Sequence, residues 1–561
     1  MCGILALLNA PRGQQDLVKH HLSMLNHRGP DAFGVKHITN TWGDTYIGHT
    51  RLSIMDPESG AQPFETENGT ILAVNGEIYN CGVINSKHSG KLKTKSDCEC
   101  IAHIYDRFPD NFKEICCMLD GVYAFVLGNQ SNNKIYAARD PLGVVPLYYG
   151  YRRGGTMAFA SEMKALNGLV DTVSEFPPGH YYSSVTDTFH KFYEPSWKVS
   201  PTVEDVEGLG HWYINRDDPH DTNNIQVNIH DRLDDAVKKR MMSDVPWGVL
   251  LSGGLDSSII AALAAQEQHQ WDYMPMINTF SIGLEGSPDL AAAELVAKHI
   301  KTNHRSYTFT IAEAIAAIPE VIRHLETYDV TTIRAGVPMY LLARHIKATG
   351  VKMVLSGEGA DEIYGGYLYF KNAPNADEFY HETQRKVFDL HYYDCLRANK
   401  AMAAWGVECR VPFLDTQHLE YAMGIHPGLK IPCEDRMEKA ILRKSFAHLL
   451  PSEICWRQKE QFSDGVGYNW IDSLKKETKN MMNWKLWGRR SKMFPMHTPK
   501  THEALYYRLI FEKYFTMPGA SLLVPYGKTC ACSSATAARW SGNEKDDASG
   551  RSVKNHIKSV V

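Results

Sequence analysis

Apolar residues in the first 200 positions fall in short runs that predict β-strands. The segments YAFVLGN, beginning at Tyr123, and KIYAARD, beginning at Lys134, are separated by a polar turn at 130–133. Two apolar runs joined by such a turn are typical of adjacent strands. Residues 2–200 are therefore predicted to form a first domain that is mostly β.

The pattern changes after residue 225. Apolar runs at 249–251, 279–282 and 353–355 alternate with amphipathic stretches such as 311–325. This alternation predicts a parallel sheet flanked by helices, which we assign to a second domain at 226–520. Residues 201–225 are acidic and aperiodic and are predicted to be a linker, while residues 521–561 are rich in small and polar residues and are predicted to be mobile.

Composition narrows the class of protein. With 561 residues the chain is too long for one core, and 22% charged residues, 43% hydrophobic residues and a net charge of -4 are typical of a soluble globular protein. We expect no nucleic-acid partner. No apolar run approaches about 20 residues, so we expect no membrane partner and a cytoplasmic location. The twelve cysteines lack metal-ligand spacing and indicate a reducing compartment.

Cys2 is a candidate nucleophile. Removal of Met1 would place a thiol and a free α-amine on the same residue, so that the amine can accept the thiol proton. A model thiol has a pKa of about 8.5 and an α-amine one of about 7.7 to 8.0, which makes the transfer feasible. Taken alone, Cys2 is more often a small buried hydrophobic residue than a nucleophile.

Four further segments supply polar groups for glutamine chemistry. They are HRGPD at 27–31, RLSIMD at 51–56, NGEIYN at 75–80 and SDCE at 96–99. With MCGI they resemble the class II glutamine amidotransferases of the N-terminal nucleophile (Ntn) hydrolase type. The resemblance implies that Cys2 attacks the glutamine amide while the Asn75 side chain and the Gly76 N–H hold the oxyanion. It also implies a glutamine pocket completed by Arg51 for the carboxylate, Asp97 for the ammonium, and Leu52, Ser53, Ile54, Met55 and Glu77.

Structural alternatives exist for each segment. Asn75-Gly76 is by itself a strong signal for a type I′ hairpin turn. Arg51 and Asp97 could be surface charges, and Arg28 and Asp31 could belong to a solvated turn. The order and spacing of all five segments favour the functional interpretation.

A second cluster, VLLSGGLDSSII at 249–260, predicts a strand, a glycine-rich turn and a helix. Such a turn directs backbone N–H groups at an anion. It lacks the Gly-Lys-Ser/Thr ending of a Walker loop and is not a GxGxxG signature. SGGxDS resembles the pyrophosphate loop (PP-loop) of ATP pyrophosphatases, which cleave ATP between its α- and β-phosphates.

The ends of several predicted strands are expected to converge on this loop, because open α/β sheets bind ligands at the carboxyl ends of their strands. We expect ATP to contact Leu251, Ser252, Gly253, Gly254, Asp256, Ser257, Ile282, Ser356 and Gly357. Asp256 and Asp361 are predicted to hold Mg²⁺ through oxygen ligands. Glu358 is a candidate proton acceptor for ammonia, although this acidic, glycine-rich loop could also be a solvated turn.

Cations and hydroxyls further along the chain complete the predicted site. Thr331 and Arg334 in ETYDVTTIRAGVPMY are expected to bind an amino-acid carboxylate. Arg410 and Lys459 are expected to stabilise the charge that grows on the phosphorus and the departing pyrophosphate. Each of these cations, taken alone, is more often a surface residue.

Over residues 2–520 the chain resembles the glutamine-hydrolysing asparagine synthetases. The resemblance implies an Ntn-hydrolase-type layered β-sheet domain followed by a doubly wound parallel-sheet domain of the PP-loop, adenine-nucleotide α-hydrolase-like type. It implies ATP and Mg²⁺ as cofactors, glutamine and aspartate as substrates, and a β-aspartyl-adenylate attacked by ammonia that arrives through an internal passage. Ala360 stands where the family commonly has Ser. The sequence does not define the oligomeric state, and a homodimer is one arrangement open to it.

Other functions remain open at this point. A related synthetase could amidate a different acceptor, although the TTIRA segment and Cys2 argue against this. A sugar-phosphate amidotransferase would need sugar domains in place of SGGLDSS. A non-catalytic protein that binds glutamine or nucleotide would release neither AMP nor pyrophosphate.

Overall fold

The computed structural model describes residues 1–40, 43–88, 92–198, 219–269, 276–527 and 531–540. Its strands form two antiparallel sheets in the first domain and one parallel sheet in the second. In chain order the strands are β1 (Gly3–Ala10), β2 (Ala32–Asn40), β3 (Gly43–Arg51), β4 (Phe64–Glu65), β5 (Thr70–Ile78), β6 (Gly121–Asn129), β7 (Ile135–Arg139), β8 (Tyr148–Arg152), β9 (Thr156–Ala160), β10 (Thr172–Glu175), β11 (His180–Ser183), β12 (Thr188–Lys191), β13 (Trp247–Leu250), β14 (Asn278–Gly283), β15 (Asn303–Thr308), β16 (Met353–Leu355) and β17 (Glu408–Arg410).

Helices cover these sheets in the part of the chain that is described. They are α1 (Gln15–Ser23), α2 (Cys81–His88), α3 (Cys100–Arg107), α4 (Phe112–Met118), α5 (Pro219–Arg240), α6 (Leu255–His269), α7 (Pro288–His299), α8 (Ile311–Leu325), α9 (Val330–Ala348), α10 (Ala360–Tyr364), α11 (Ala376–Phe388), α12 (Asp394–Ala403), α13 (Thr416–Met423), α14 (Ala440–Phe446), α15 (Ser452–Cys455), α16 (Phe462–Gly465), α17 (Asn469–Met481), α18 (Trp484–Met493) and α19 (His502–Tyr514). None of these described helices is long and apolar enough to cross a membrane.

The first domain stacks its two six-stranded sheets face to face, in the orders β10-β8-β9-β1-β3-β2 and β12-β11-β7-β6-β5-β4. Alternate residues of β1, such as Ile4 and Ala6, pack in one apolar cluster with Ile71 and Ala73 of β5. Side chains on one face of a strand follow a period of two, so this alternation holds the sheets together. It also brings the start of β1 close to β5. The predicted layered β domain is confirmed.

The second domain contains a five-stranded parallel sheet in the order β15-β14-β13-β16-β17. After β13 the chain adds β14 and β15 on one side of that strand. It then returns to add β16 and β17 on the other side. The carboxyl end of β13 therefore lies at a topological switch point, where open α/β sheets bind ligands. The loop SGGLDSS follows this strand, and the predicted doubly wound sheet is confirmed.

The two segments without predicted structure differ from expectation where they are described. Helix α5 begins at Pro219, inside the predicted linker, whereas residues 201–218 lie outside the described residues. In the predicted mobile tail, Ala537 and Trp540 pack in a cluster with Tyr369, Phe370 and Phe379. The composition of the tail hid this contact, because one tryptophan can anchor a segment that is otherwise small and polar. Residues 541–561 lie outside the described residues.

Candidate functional site

Cys2 immediately precedes β1 and faces Asn75, which lies on β5 in the opposite sheet. The Cys2 N–H donates to Asn75 Oδ1 at 2.8 Å, and the Leu52 N–H donates to Cys2 Sγ at 3.4 Å. Burial raises the pKa of the Cys2 thiol. The α-ammonium group of Met1, which this structure retains, opposes the shift. The thiol thus needs an adjacent base to become a nucleophile at neutral pH.

The Asn75 side chain is oriented as an oxyanion-hole donor. Its Oδ1 accepts from Cys2, while Nδ2 is buried and has no hydrogen-bond partner among the described residues. Both Asn75 and Gly76 lie inside β5, so the alternative of a type I′ hairpin turn is wrong. Gly76 has a φ of 144°, and a Cβ there would lie 2.0 Å from the Val122 carbonyl oxygen. Close pairing with β6 therefore requires glycine at this position.

Arg51 ends β3 and is buried. Its guanidinium donates to the carbonyl oxygens of Met55 at 2.8 Å, Asp56 at 2.6 Å and Pro57 at 3.4 Å. The loop with Leu52, Ser53, Ile54 and Met55 thus folds around this side chain. The Ser53 N–H donates to Asp31 Oδ2 at 2.8 Å, and Asp31 also lies 2.7 Å from Lys352 Nζ of the second domain.

Glu77, which lies on β5, and Asp97 are both buried. Asp97 Oδ2 accepts from the Ile78 N–H at 2.7 Å. Burial raises the pKa of Asp97, and it raises that of Glu77 well above its usual range although the Arg410 guanidinium opposes it. A substrate ammonium group would be favoured beside these two carboxyls because it would compensate their burial.

Arg28 does not lie in a solvated turn, whereas Asp31 is exposed. Arg28 is fully buried; its Nε donates to the Cys2 carbonyl oxygen at 2.8 Å, and its Nη1 donates to Glu162 at 2.6 Å. The same guanidinium donates to Asn399 of the second domain at 2.9 Å. A planar fork with several donors is suited to this role. Arg28 therefore fixes the backbone of the nucleophile relative to α12.

The glycine-rich loop after β13 has the geometry of an anion cradle. Gly253 has a φ of 75°, and a Cβ there would lie 2.4 Å from the Ala293 nitrogen of α7. The hydroxyls of Ser252 and Ser257 lie 3.0 Å apart, and Ser252 Oγ accepts from the Gly254 N–H at 3.3 Å. The loop leads into the N-terminus of the fifteen-residue α6, whose free N–H groups favour an anion.

Two aspartates and two lysines face each other at this loop. Lys439 Nζ lies 2.6 Å from Asp256 and also contacts Asp361, while Lys459 Nζ lies 2.6 Å from Asp361. Burial acts to raise the pKa of Asp361, but the two ammonium groups outweigh it and hold that pKa well below its usual range. Both aspartates and Lys459 line the same cleft.

Glu358 faces the same cleft from the loop after β16. Its carboxylate accepts from Arg397 Nη2 at 2.9 and 3.0 Å, and Arg397 Nη1 lies 2.5 Å from Asp394. Burial raises the pKa of Glu358, although Arg397 opposes the shift. A carboxyl group with a raised pKa is a stronger base than an ordinary one.

The cleft that joins these groups has an empty volume of about 1050 Å³. Leu251, Ile282, Phe280 and Met339 give it an apolar end, and Thr331, Glu358 and Arg397 lie along its polar lining. Ser356 and Gly357 lie beside the glycine-rich loop, since a Cβ on Gly357 would be 2.7 Å from the Ser257 nitrogen. Most of the predicted ATP contacts therefore meet in one place.

Two predicted cations lie elsewhere. Arg334 does not line this cleft; it forms a bidentate pair with Glu503 at 2.8 and 2.7 Å and lines a neighbouring cavity. Arg410 points away from the glycine-rich loop: its Nη2 lies 3.0 Å from Glu77 and its Nε donates to Glu408 at 2.7 Å. Both side chains are buried, so carboxylates must compensate each charge, and one of them comes from a distant segment in each case: Glu77 for Arg410 and Glu503 for Arg334.

Sequence reasoning missed Lys439, Arg397 and Asp394. Arg397 and Asp394 are three residues apart on α12, a spacing that is also typical of surface ion pairs. Lys439 lies in no motif, and only the tertiary structure places its ammonium group between Asp256 and Asp361.

Two family models match different parts of the chain. A family model described as a glutamine amidotransferase domain matches residues 1–196, and one described as asparagine synthase matches residues 228–377 and 371–521. The chain is 46% identical over all of its length to a probable glutamine-hydrolysing asparagine synthetase of Dictyostelium discoideum, and the match covers 100% of that protein. It is 46% identical to glutamine-hydrolysing asparagine synthetase 1 of Arabidopsis thaliana, over 99% of this chain and 94% of that one.

Among solved structures, a glutamine phosphoribosylpyrophosphate amidotransferase from B. subtilis covers 55% of this chain and 91% of its own, with 16% identity and a TM-score of 0.31. The two-sheet domain, the switch-point loop and the two family models define the class: an amidotransferase domain followed by an ATP-pyrophosphatase-type synthetase domain. The chain belongs to the glutamine-hydrolysing asparagine synthetase family.

Proposed function

We propose that this protein hydrolyses glutamine at Cys2 and uses the released ammonia and ATP to convert aspartate into asparagine. The observation that carries the proposal is that one strand, β17, contacts both sites. The Arg410 side chain lies 3.0 Å from Glu77 in the glutamine pocket. Its carbonyl oxygen accepts from the Ser356 N–H at 2.9 Å, two residues before Glu358.

Glutamine hydrolysis begins once Met1 has been removed. The α-amine of Cys2 accepts the thiol proton, directly or through water, and Sγ attacks the amide carbon. The Asn75 Nδ2 group and the Gly76 N–H stabilise the oxyanion. Ammonia leaves with the returned proton, and water then releases glutamate from the thioester. Arg51 holds the substrate carboxylate, and Asp97 and Glu77 hold its ammonium group.

Aspartate activation takes place at the glycine-rich loop. The backbone and hydroxyls of Ser252, Gly254 and Ser257 hold the phosphates, and the adenine lies at the apolar end beside Leu251 and Ile282. The side-chain carboxylate of aspartate attacks the α-phosphorus, and pyrophosphate leaves. Lys459 stabilises the negative charge that develops on the phosphates during this step.

Asp256 and Asp361 fit a Mg²⁺ ion because two carboxylates that share one ammonium partner lie close together and offer oxygen ligands. When bound, Mg²⁺ would neutralise phosphate charge. Lys439 and Lys459 keep the Asp361 carboxylate ionised by holding its pKa low.

Amide formation completes the reaction. Ammonia attacks the acyl carbon of β-aspartyl-AMP, a proton passes to Glu358, and AMP leaves with the bond electrons. Arg397 positions Glu358 through Nη2, which donates to both carboxylate oxygens. The ammonia travels inside the protein past β17, so that it does not equilibrate with solvent as ammonium.

The test is to supply amide-¹⁵N-glutamine, MgATP and aspartate and to follow the label by mass spectrometry in the presence of excess unlabelled ammonium. We expect labelled asparagine with AMP and pyrophosphate in equal amounts. A Cys2→Ala variant should lose glutamine-dependent synthesis and keep ammonium-dependent synthesis. Absence of pyrophosphate when aspartate is present would overturn the synthetase assignment, and equal loss with both nitrogen donors would overturn the division between the two sites.

A further inference from the structure

Residues 531–540, here called the C-terminal wall, form part of the cleft although they follow the family-model match, which ends at residue 521. Ala531 and Cys532 line the cleft together with Tyr367, Asp394 and Arg397. Both residues are almost completely buried, at 3% and 6% exposure. The wall therefore covers the polar part of the cleft, where Cys532 lies near Asp394 and Arg397.

Side chains of helix α11 hold this wall by hydrogen bonds to its backbone. The Lys386 ammonium donates to the Ala531 carbonyl oxygen, and Arg385 Nη2 donates to that of Cys532 at 2.8 Å. The Ser534 N–H donates to Glu382 Oε1 at 3.0 Å. Backbone acceptors on the wall thus meet cations on one face of the helix.

The conformation of the wall depends on these contacts. Ala531 and Cys532 have φ values of 49° and 56°, in the left-handed region that non-glycine residues disfavour. Two successive residues stay there only when tertiary contacts define the backbone. At the other end of the wall, the Trp540 ring lies 6.0 Å from the Tyr369 ring and is only 7% exposed.

We propose that the C-terminal wall shields the activated acyl group from water and thereby couples ATP cleavage to amide formation. This inference rests on the proposed synthetase function. In the competing side reaction, a water oxygen bonds to the acyl carbon of β-aspartyl-AMP, the carbon–oxygen bond to AMP breaks, and aspartate and AMP are released without amide. Enzymes that form such intermediates limit this reaction by excluding water.

The wall also positions Lys386. The Lys386 ammonium lies 3.9 Å from the centre of the Tyr367 ring and takes the Ala531 carbonyl as an acceptor. Tyr367 donates through its hydroxyl to Glu362 at 2.5 Å and lines the cleft beside Asp394. Loss of the wall would therefore expose the polar part of the cleft and release the side chains that line it.

The principal test compares two truncated proteins. One ends after Gly527 and lacks the wall, and the matched control ends after Trp540 and keeps it. With ammonium as the nitrogen donor, the control should release one pyrophosphate per asparagine, like the full chain. The protein without the wall should show a several-fold higher ratio of pyrophosphate to asparagine, with glutaminase activity unchanged. An unchanged ratio in the shorter protein would overturn the proposal.

A second measurement does not depend on synthetase activity. The thiol of Cys532 should react with iodoacetamide more slowly than the exposed Cys117 and Cys433 of the same chain, and MgATP should slow it further. Trp540→Ala should accelerate that reaction, whereas Trp484→Ala, at a tryptophan that is 78% exposed, should not. Equal rates at Cys532 and Cys433 in the full chain would contradict the position of the wall. If the full chain forms no pyrophosphate with aspartate, the proposed function fails. The iodoacetamide rates at Cys532 then still show whether the C-terminal wall covers the cleft.

Discussion

Replacement of Arg410 by Met tests the connection between the two sites. The guanidinium lies 3.0 Å from Glu77, donates to Glu408 at 2.7 Å and to the Arg240 carbonyl oxygen at 2.9 Å, and is almost completely buried. Removing one partner of a buried ion pair costs about 3 to 5 kcal/mol, because the other charge stays buried without compensation. We expect the free energy of unfolding at neutral pH to fall by about that amount.

The loss should depend on pH in a defined direction. In the chain that still carries Met1, burial acts to raise the pKa of Glu408, but the Met1 α-ammonium group and Arg410 hold it at about 2. A carboxyl whose pKa is lowered in the folded state stabilises the protein above its unfolded value of about 4.3 and loses this contribution as the pH falls toward 2. Without Arg410, the pKa of both Glu77 and Glu408 should rise. The destabilisation measured by urea unfolding should therefore be larger at pH 8 than at pH 5.

The kinetics of Arg410→Met distinguish a role of Arg410 in the glutamine site from a general effect on stability. Because Glu77 loses its partner, kcat/KM for glutamine should fall by roughly 100-fold, equivalent to about 2.7 kcal/mol. Ammonium-dependent synthesis should change little. The matched control is Arg139→Met, which removes another buried guanidinium, 2.7 Å from Glu175 in the same domain as Glu77. An Arg410→Met protein with unchanged kcat/KM for glutamine, or with the same kinetics as the control, would refute the reasoning.

Three further variants test individual contacts. Asn75→Ala should lower glutaminase kcat by about 10² to 10³-fold with little change in KM, because an oxyanion donor acts mainly in the transition state; a change in KM alone, measured by glutamate release, would contradict this. Gly76→Ala places a Cβ 2.0 Å from the Val122 carbonyl oxygen, so we expect loss of glutaminase activity and a lower melting temperature. Wild-type activity and melting temperature would show that this close approach does not require glycine. Asp256→Asn and Lys439→Met should each abolish aspartate-dependent pyrophosphate release while glutamine hydrolysis persists, and unchanged pyrophosphate release by either protein would remove that residue from the nucleotide site.

The local patterns of the sequence determined the chemistry available to this protein. Short, continuous apolar runs such as β6 and β7, separated by a polar turn, define adjacent strands. The SGGLDSS turn predicts an anion site because a strand, a glycine-rich loop and a helix are adjacent in the chain. The order and spacing of the five segments between Cys2 and Glu99 likewise indicated glutamine chemistry, whereas none of them did so alone.

Only the tertiary structure decided which distant groups meet. Arg410 and Arg334 each carry a charge that burial penalises, so each lies where a carboxylate from a remote segment compensates it, at Glu77 and Glu503. Lys439 lies in the nucleotide site because its ammonium group compensates the charges of Asp256 and Asp361. Trp540 anchors a segment that looks unstructured in composition. A pairing of this kind depends on the packing of whole domains, which no local pattern in the chain encodes.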